Sequence, residues 1–235
     1  MRIYWNTFPK KWKRPPRNQF PTGSRVYKGF QGSGKSLSMV KYAFDVAKVY
    51  PECHIFSNMM INGLKNFHYI ESDDDLKTAL LFKNGKDGVL VLLDEAHLYF
   101  NKKSGISLDV LTAISQQRKD RRRLVFSSQI WEELDISLRK QVKEIVNCSC
   151  HFGFLQINSI SDGETLSYDK MAGEYVAKHI RTEIFKHNLE LYNSYDTFQK
   201  IITNDEYSSS PSSRNTPILI NTTTNKKSLF TKKGF

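Results

Sequence analysis

The stretch GFQGSGKS, residues 29–36, satisfies G-x-x-x-x-G-K-[ST] at every fixed position, and it limits the fold more than any other feature of the chain. Such a loop works only between a buried strand and a helix, where its glycines let the backbone curl and its N–H groups face phosphate at the helix N-terminus. Both flanks meet that demand. Residues 25–28 read as a strand, and from Lys35 the apolar residues Leu37, Val40, Phe44 and Ala47 recur every three to four positions, predicting a helix over 35–49 with one face on a sheet. Gly29, Phe30, Gln31, Gly32, Ser33, Gly34, Lys35 and Ser36 then form a cradle for ATP or GTP. Lys35 would reach the β- and γ-phosphates, and Ser36 would ligate Mg²⁺.

Further along, GVLVLLDEAH at 88–97 is an apolar run ending in two carboxylates. A parallel strand buried on both faces has this composition. Its C-terminal end would deliver Asp94 beside the phosphate loop to hold Mg²⁺, the usual Walker B role, and Glu95 one residue later to orient or polarise an attacking water. That second carboxylate favours a hydrolase over a kinase, which has to keep water away from the γ-phosphate. A purely dipolar role for Glu95, at a helix N-terminus, is the competing reading. The letters Asp-Glu-Ala-His also label a box of RNA helicases, but 235 residues are few for the two tandem motor domains of a monomeric helicase. His97 is given no role.

The next strand, LVFSSQ at 124–129, ends on a polar triplet. In ATPases with an additional strand between the phosphate-loop strand and the Walker B strand, a polar residue at this tip touches the γ-phosphate, which makes Gln129 the candidate sensor. Its alternative is a loop amide without nucleotide contact. Before it lies QQRKDRRR, 116–123, read as the basic end of a helix over 107–121. Arg123 there, or Arg139 in SLRKQ, is a candidate arginine finger for a neighbouring subunit, with a solvated charge run as the alternative. Strands are also expected near 54–57, 89–93 and 145–149, helices near 73–82 and 133–139, and a hairpin around SDGE at 161–164.

The charge is uneven. Lys and Arg number 35 against 24 Asp and Glu, a net charge of +11. Residues 1–28 carry eight of the basic side chains and residues 207–235 five, neither stretch holding an acid, so the 22 remaining cations nearly balance all the acids. Basic ends favour a polyanionic partner, DNA or an anionic membrane. The division read from this is a basic aromatic arm (1–23), a P-loop ATPase domain (24–206) and a disordered tail (207–235) in which Ser, Thr and Asn supply 14 of 29 residues. Aromatics in the arm would pack on the domain or contact nucleic acid or a neighbouring subunit. Three cysteines, an odd and sparse number, suit a reducing, cytoplasmic setting, and CSCH at 148–151 reads as strand rather than as a metal site. No run of about 18 apolar residues predicts a transmembrane segment, and the N-terminus lacks the apolar core of a secretory signal.

In this order and with these gaps, GFQGSGKS, VLVLLDEAH, QQRKDRRRLVFSSQ, ISLRKQVKEIV and LYNSYDT resemble the zonula occludens toxin-like ATPases of filamentous phages, within the FtsK and HerA group of DNA-pumping P-loop ATPases. That group includes genome-packaging ATPases of membrane-containing icosahedral viruses. The resemblance covers roughly residues 24–199. It implies an α/β, RecA-like core with a mainly parallel sheet flanked by helices and a homo-oligomeric ring, pentameric or hexameric. Hydrolysis would then drive DNA movement or phage extrusion, with Lys35, Ser36, Asp94, Glu95 and Gln129 at the nucleotide site. The extrusion proteins carry a membrane-spanning segment after the core, where this chain has a polar tail. The expectation is therefore a DNA translocase that packages a viral genome with capsid partners. The alternative is an extrusion ATPase acting on membrane-bound assembly proteins.

Overall fold

The computed structural model describes residues 19–100, 106–171 and 173–195. Most of the basic arm, the 207–235 tail and residues 196–197 of the YDT stretch lie outside them. Ten strands and five α-helices are found among the described residues. The phosphate-loop strand β1 (Gly23–Lys28) leads into α1 (Lys35–Val49), and β2 (His54–Ser57) and β3 (Phe67–Tyr69) follow. Then come α2 (Asp73–Leu81), β4 (Val89–Leu93), α3 (Leu108–Ser115), β5 (Arg122–Ser128) and α4 (Ile136–Arg139). The chain continues through β6 (Val142–His151), β7 (Leu155–Asp162), β8 (Ser167–Asp169), β9 (Glu174–Val176), β10 (His179–Lys186) and α5 (Leu189–Asn193).

Eight strands make one sheet in the order β10-β7-β6-β1-β5-β4-β2-β3, and β8 and β9 pair separately. From β3 to β6 all neighbours run parallel; β7 and β10 close that side antiparallel. This is the expected α/β arrangement, with β5 inserted between the phosphate-loop strand β1 and β4. Every residue of β4 is buried, as its unbroken apolar run requires. One apolar layer joins Leu37, Val40 and Ala43 of α1 to Ile55, Leu90 and Val125 of the sheet. The other joins Leu76, Leu80, Val110 and Ile114 of α2 and α3 to Val91, Leu124 and Phe126. The start of α2 is fixed locally by a capping box, in which Ser72 Oγ accepts from the Asp75 N–H at 3.2 Å and the Asp75 carboxylate accepts from the Ser72 N–H at 3.0 Å.

Several boundaries differ from expectation. The helix foreseen over 107–121 stops at Ser115. Beyond it the buried Gln117 donates to Ser24 Oγ at 2.8 Å, and Arg121 turns to φ 48° as the chain enters β5. The chain reversal expected at SDGE occurs earlier, at Phe152–Phe154 between β6 and β7. SDGE instead forms a corner, where the Asp162 side chain caps the turn Gly163–Thr165, and the second partner of β7 is β10. From the arm, Phe20 is 1% exposed and packs edge-on to Tyr50; burial of such a ring contributes about 1.5–3 kcal/mol.

Cys148 and Cys150 both lie in β6. Burial pushes the Cys148 thiol up to about 12 and the Cys53 thiol up to about 11, whereas Cys150 is only half-buried. A thiol-reactive dye at pH 8 is expected to label Cys150 in the folded protein and the other two only after unfolding. Mass spectrometry of the labelled peptides checks this; equal labelling rates at all three would contradict it.

Candidate nucleotide site

The glycine-rich loop lies at the C-terminal edge of the parallel strands, between β1 and α1. Gly34 sits at φ 82° immediately before α1, and a Cβ there would run into the Gln156 side chain, so both the backbone angle and the close approach call for glycine. Lys35 is 6% exposed, and its ammonium donates to the carbonyls of Gly29 at 3.0 Å and Phe30 at 3.1 Å. Curled back on its own loop, it is held above the helix N-terminus where phosphate would bind. Phe30 and Gln31 face solvent, with Phe30 91% exposed.

β4 carries Asp94 and Glu95 to the same edge. Ser36 Oγ donates to Asp94 Oδ2 at 2.7 Å, and Ser127 Oγ donates to the other carboxylate oxygen. Asn58, 2% exposed at the end of β2, grips the Asp94 backbone from both sides: its Nδ2 donates to the Asp94 carbonyl at 2.9 Å, and its Oδ1 accepts the Asp94 N–H at 2.8 Å. The Glu95 N–H donates to Ser127 Oγ at 2.9 Å. Glu95 itself takes φ 51°, a left-handed conformation rare for residues other than glycine, which costs about 1–3 kcal/mol and concentrates at functional positions. Ser36 and Asp94 present hard oxygen donors side by side, a pair that fits Mg²⁺ when phosphate and water complete its shell.

From the tip of β5 the exposed Gln129 donates through Nε2 to Glu95 Oε1 at 2.7 Å. On the other side of that carboxylate, His97 Nδ1 faces Glu95 Oε2 at 3.3 Å. Both atoms are shielded from solvent and lack a well-aligned hydrogen bond. The structure thus brings Lys35, Ser36, Asp94, Glu95 and Gln129 together at one strand edge. Reading the sequence missed Asn58, Ser127 and Gln156. A signal for the first two was present: FSN at 56–58 ends on a polar residue as FSSQ at 126–129 does, and parallel strands bring such tips to one edge.

The two arginines fare differently. Arg123 is the second residue of β5, five residues and roughly 16 Å from the Ser128 end. It is 4% exposed, paired with Glu144 and donating to Tyr42 Oη at 3.1 Å. A finger has to be free to enter a neighbour's site, so Arg123 is excluded from that role and belongs to an internal ion cluster. Arg122 is likewise buried, donating to the carbonyls of Ala113 and Phe82. Of the arm-side cations, Arg25 joins the same cluster as Arg123, and Lys28 lies 4.8 Å from the Trp131 ring centroid. Arg139, half-buried on α4, has its guanidinium 6.0 Å from the centroid of the same indole.

No family model matches the chain, and no curated protein matches it in sequence. Among solved structures, the chain is similar to the N-terminal domain of zonular occludens toxin from Neisseria meningitidis, with a TM-score of 0.54 and 19% identity over 74% of this chain and 98% of that one. The genome packaging NTPase of Sulfolobus turreted icosahedral virus 2 gives a TM-score of 0.49 in its sulfate complex, at 16% identity over 67% of this chain and 96% of that one. Its complex with ATP-gammaS gives 0.47, at 13% identity over 74% and 100%. The toxin domain's P-loop fold is therefore the fold of this chain. Among the described residues no helix is long and apolar enough to cross a membrane.

Proposed function

We propose that this chain is an ATP hydrolase that moves DNA, packaging a viral genome as one subunit of a ring. The observation that carries the hydrolase reading is the pairing of Gln129 Nε2 with Glu95 Oε1 at 2.7 Å, one residue from the Ser36–Asp94 contact. A carboxylate aimed by a neighbouring strand tip suits water positioning, which a phosphate-holding module alone does not need. Lys35 exchanges its two loop carbonyls for the β- and γ-phosphates, while loop N–H groups and the start of α1 hold the phosphate oxygens. Ser36 and Asp94 would hold Mg²⁺, which when bound would neutralise charge on the phosphate oxygens. Glu95 orients the attacking water, and Gln129, able to bond either Glu95 or the γ-phosphate, ties that orientation to the presence of ATP. Arg139 is the remaining finger candidate, with the Trp131 face to steady its guanidinium.

DNA as the partner is supported by the +11 net charge and the acid-free ends. At low salt, duplex DNA is expected to stimulate ATP turnover. Five phosphate contacts by the tail would give a log–log salt slope of roughly −4 to −5 in binding. A turnover rate indifferent to DNA at low salt removes this reading. The likeness to the toxin's N-terminal domain favours a second one, an extrusion ATPase working on protein partners at a membrane. Binding to anionic vesicles together with a DNA-independent ATPase would select it.

A further inference from the structure

Beyond β1 the sheet has an overhang. Pairing of β1 with β6 ends at Lys28 opposite Asn147, but β6 continues to His151, four residues or roughly 13 Å further, and folds back as β7. This projecting hairpin flanks the phosphate loop. A Cβ on Gly29 would come 2.9 Å from the Cys148 carbonyl, and the fully buried Gln156 of β7 donates to the Ser33 carbonyl at 2.9 Å. Asp94, Ser127 and Gln129 all stand on the opposite side of β1, on β4 and β5. A nucleotide whose terminal phosphates face Ser36 and Asp94 therefore extends its ribose and base towards the hairpin.

At the hairpin tip stand Phe152, 84% exposed, and Phe154, 49% exposed, their ring centroids 6.3 Å apart and their planes inclined by 32°. Phe152 also occupies φ 55°, so the turn places an aromatic where glycine or asparagine is ordinarily found. Among the described residues the Phe152 ring lies beside those of His151 and Phe154 yet stays in solvent, and a strained backbone with a solvated ring costs stability; such positions concentrate at ligand contacts. The turn is braced as well. The Phe154 carbonyl accepts the His187 N–H at 2.8 Å, and His187 Nε2 lies 3.1 Å from Gln156 Oε1. Since Gln156 uses its amide N–H groups on Ser33 and Asn158, its oxygen is left to accept, and His187 Nε2 carries the proton. One polar chain thus runs from the phosphate loop to the tip.

We infer that the β6–β7 turn is the nucleobase platform of this site, with Phe152 and Phe154 supplying the aromatic face against which the purine ring stacks. The inference rests on the nucleotide reading proposed above, and its test separates the two. Binding of ATP and of inorganic tripolyphosphate, each with Mg²⁺, is measured by calorimetry for the parent chain and for Phe152→Gly, Phe154→Ala and Phe152→Tyr. Glycine relieves the left-handed turn while deleting the ring, so loss of folding does not confound the comparison. Phe152→Gly and Phe154→Ala are expected to weaken ATP about tenfold with tripolyphosphate unchanged, and Phe152→Tyr to bind ATP as the parent does. Unaltered ATP affinity in both ring deletions would overturn the inference and leave the tip to DNA or a neighbouring subunit. Equal weakening of both ligands would overturn it too, as damage to the loop. A parent chain that binds neither ligand would instead remove the nucleotide reading itself.

Discussion

Replacing Glu95 by Gln is expected to leave ATP bound and to stop its turnover. The substitution keeps the side chain's shape and an oxygen for Gln129 Nε2, which donates to Glu95 Oε1 at 2.7 Å, but removes the charge that orients water. Loss of such a positioned base lowers kcat by roughly 10²–10⁴-fold, whereas the phosphate cradle of Lys35, Ser36 and the loop backbone is untouched. Lys35→Ala is expected to act on binding itself. Its ammonium, 6% exposed and bonded to two loop carbonyls, is the only side-chain charge in the loop. A hydrogen bond to a charged group contributes about 1.5–3 kcal/mol, so ATP affinity falls roughly 10- to 150-fold and turnover goes with it. Filter binding beside single-turnover hydrolysis separates the two variants. An equal loss of ATP binding in both would contradict the division of labour between cradle and carboxylate, and full turnover in Glu95→Gln would move the water-orienting role to another group.

The largest expected effect on stability lies at the other edge of the sheet. Arg25 and Arg123 are 1% and 4% exposed, and Glu144 stands between them, with Arg181 3.5 Å away. Glu183 pairs with Arg25 at 3.1 Å and with Arg181 at 3.0 Å. Glu144→Ala strands two buried guanidiniums with a single carboxylate to share. Breaking a buried pair from one side typically costs 3–5 kcal/mol, so Glu144→Ala is expected to lower unfolding stability by about that much, read by denaturant titration at neutral pH. Burial alone would raise the Glu144 carboxyl, but Arg123, Arg25 and Arg181 outweigh it and hold it below the ordinary carboxylate range. A folded-state value below the unfolded one gives stability that is complete above the unfolded pKa of about 4.3 and is lost as pH falls through the lower folded value. Glu144→Gln, already without the charge, should therefore show a flatter acid limb than the parent. A loss under 1 kcal/mol for Glu144→Ala, or parallel acid limbs, would mean that Glu183 alone neutralises the cluster.

These two results bear on how much the sequence discloses. The phosphate loop, the buried strand that delivers Asp94 and Glu95, and the span of α2 are all legible, because each is contiguous: even the longest unit, β1 through α1, runs only from Gly23 to Val49, and hydrophobic period and turn chemistry act at that range. Parallel strands separated by helices also fix which ends of those strands meet, so the order of elements alone places Gln129 at the same edge as Asp94. Arginines resist such reading. The run at 118–123 looks like a solvated helix end or a finger, yet Arg123 is buried by Glu144, 21 positions away, and Arg25 by Glu183, 158 positions away. No local pattern records pairings of that separation. The reversal between β6 and β7 is harder to read for a different reason: Gly153 is the one ordinary turn former in it, and Phe152 beside it takes φ 55°, a conformation that phenylalanine does not announce. Local propensity thus determined the P-loop scaffold. Tertiary packing decided which charges are structural and which aromatics remain in solvent, because both depend on partners that the chain brings together only when the sheet closes.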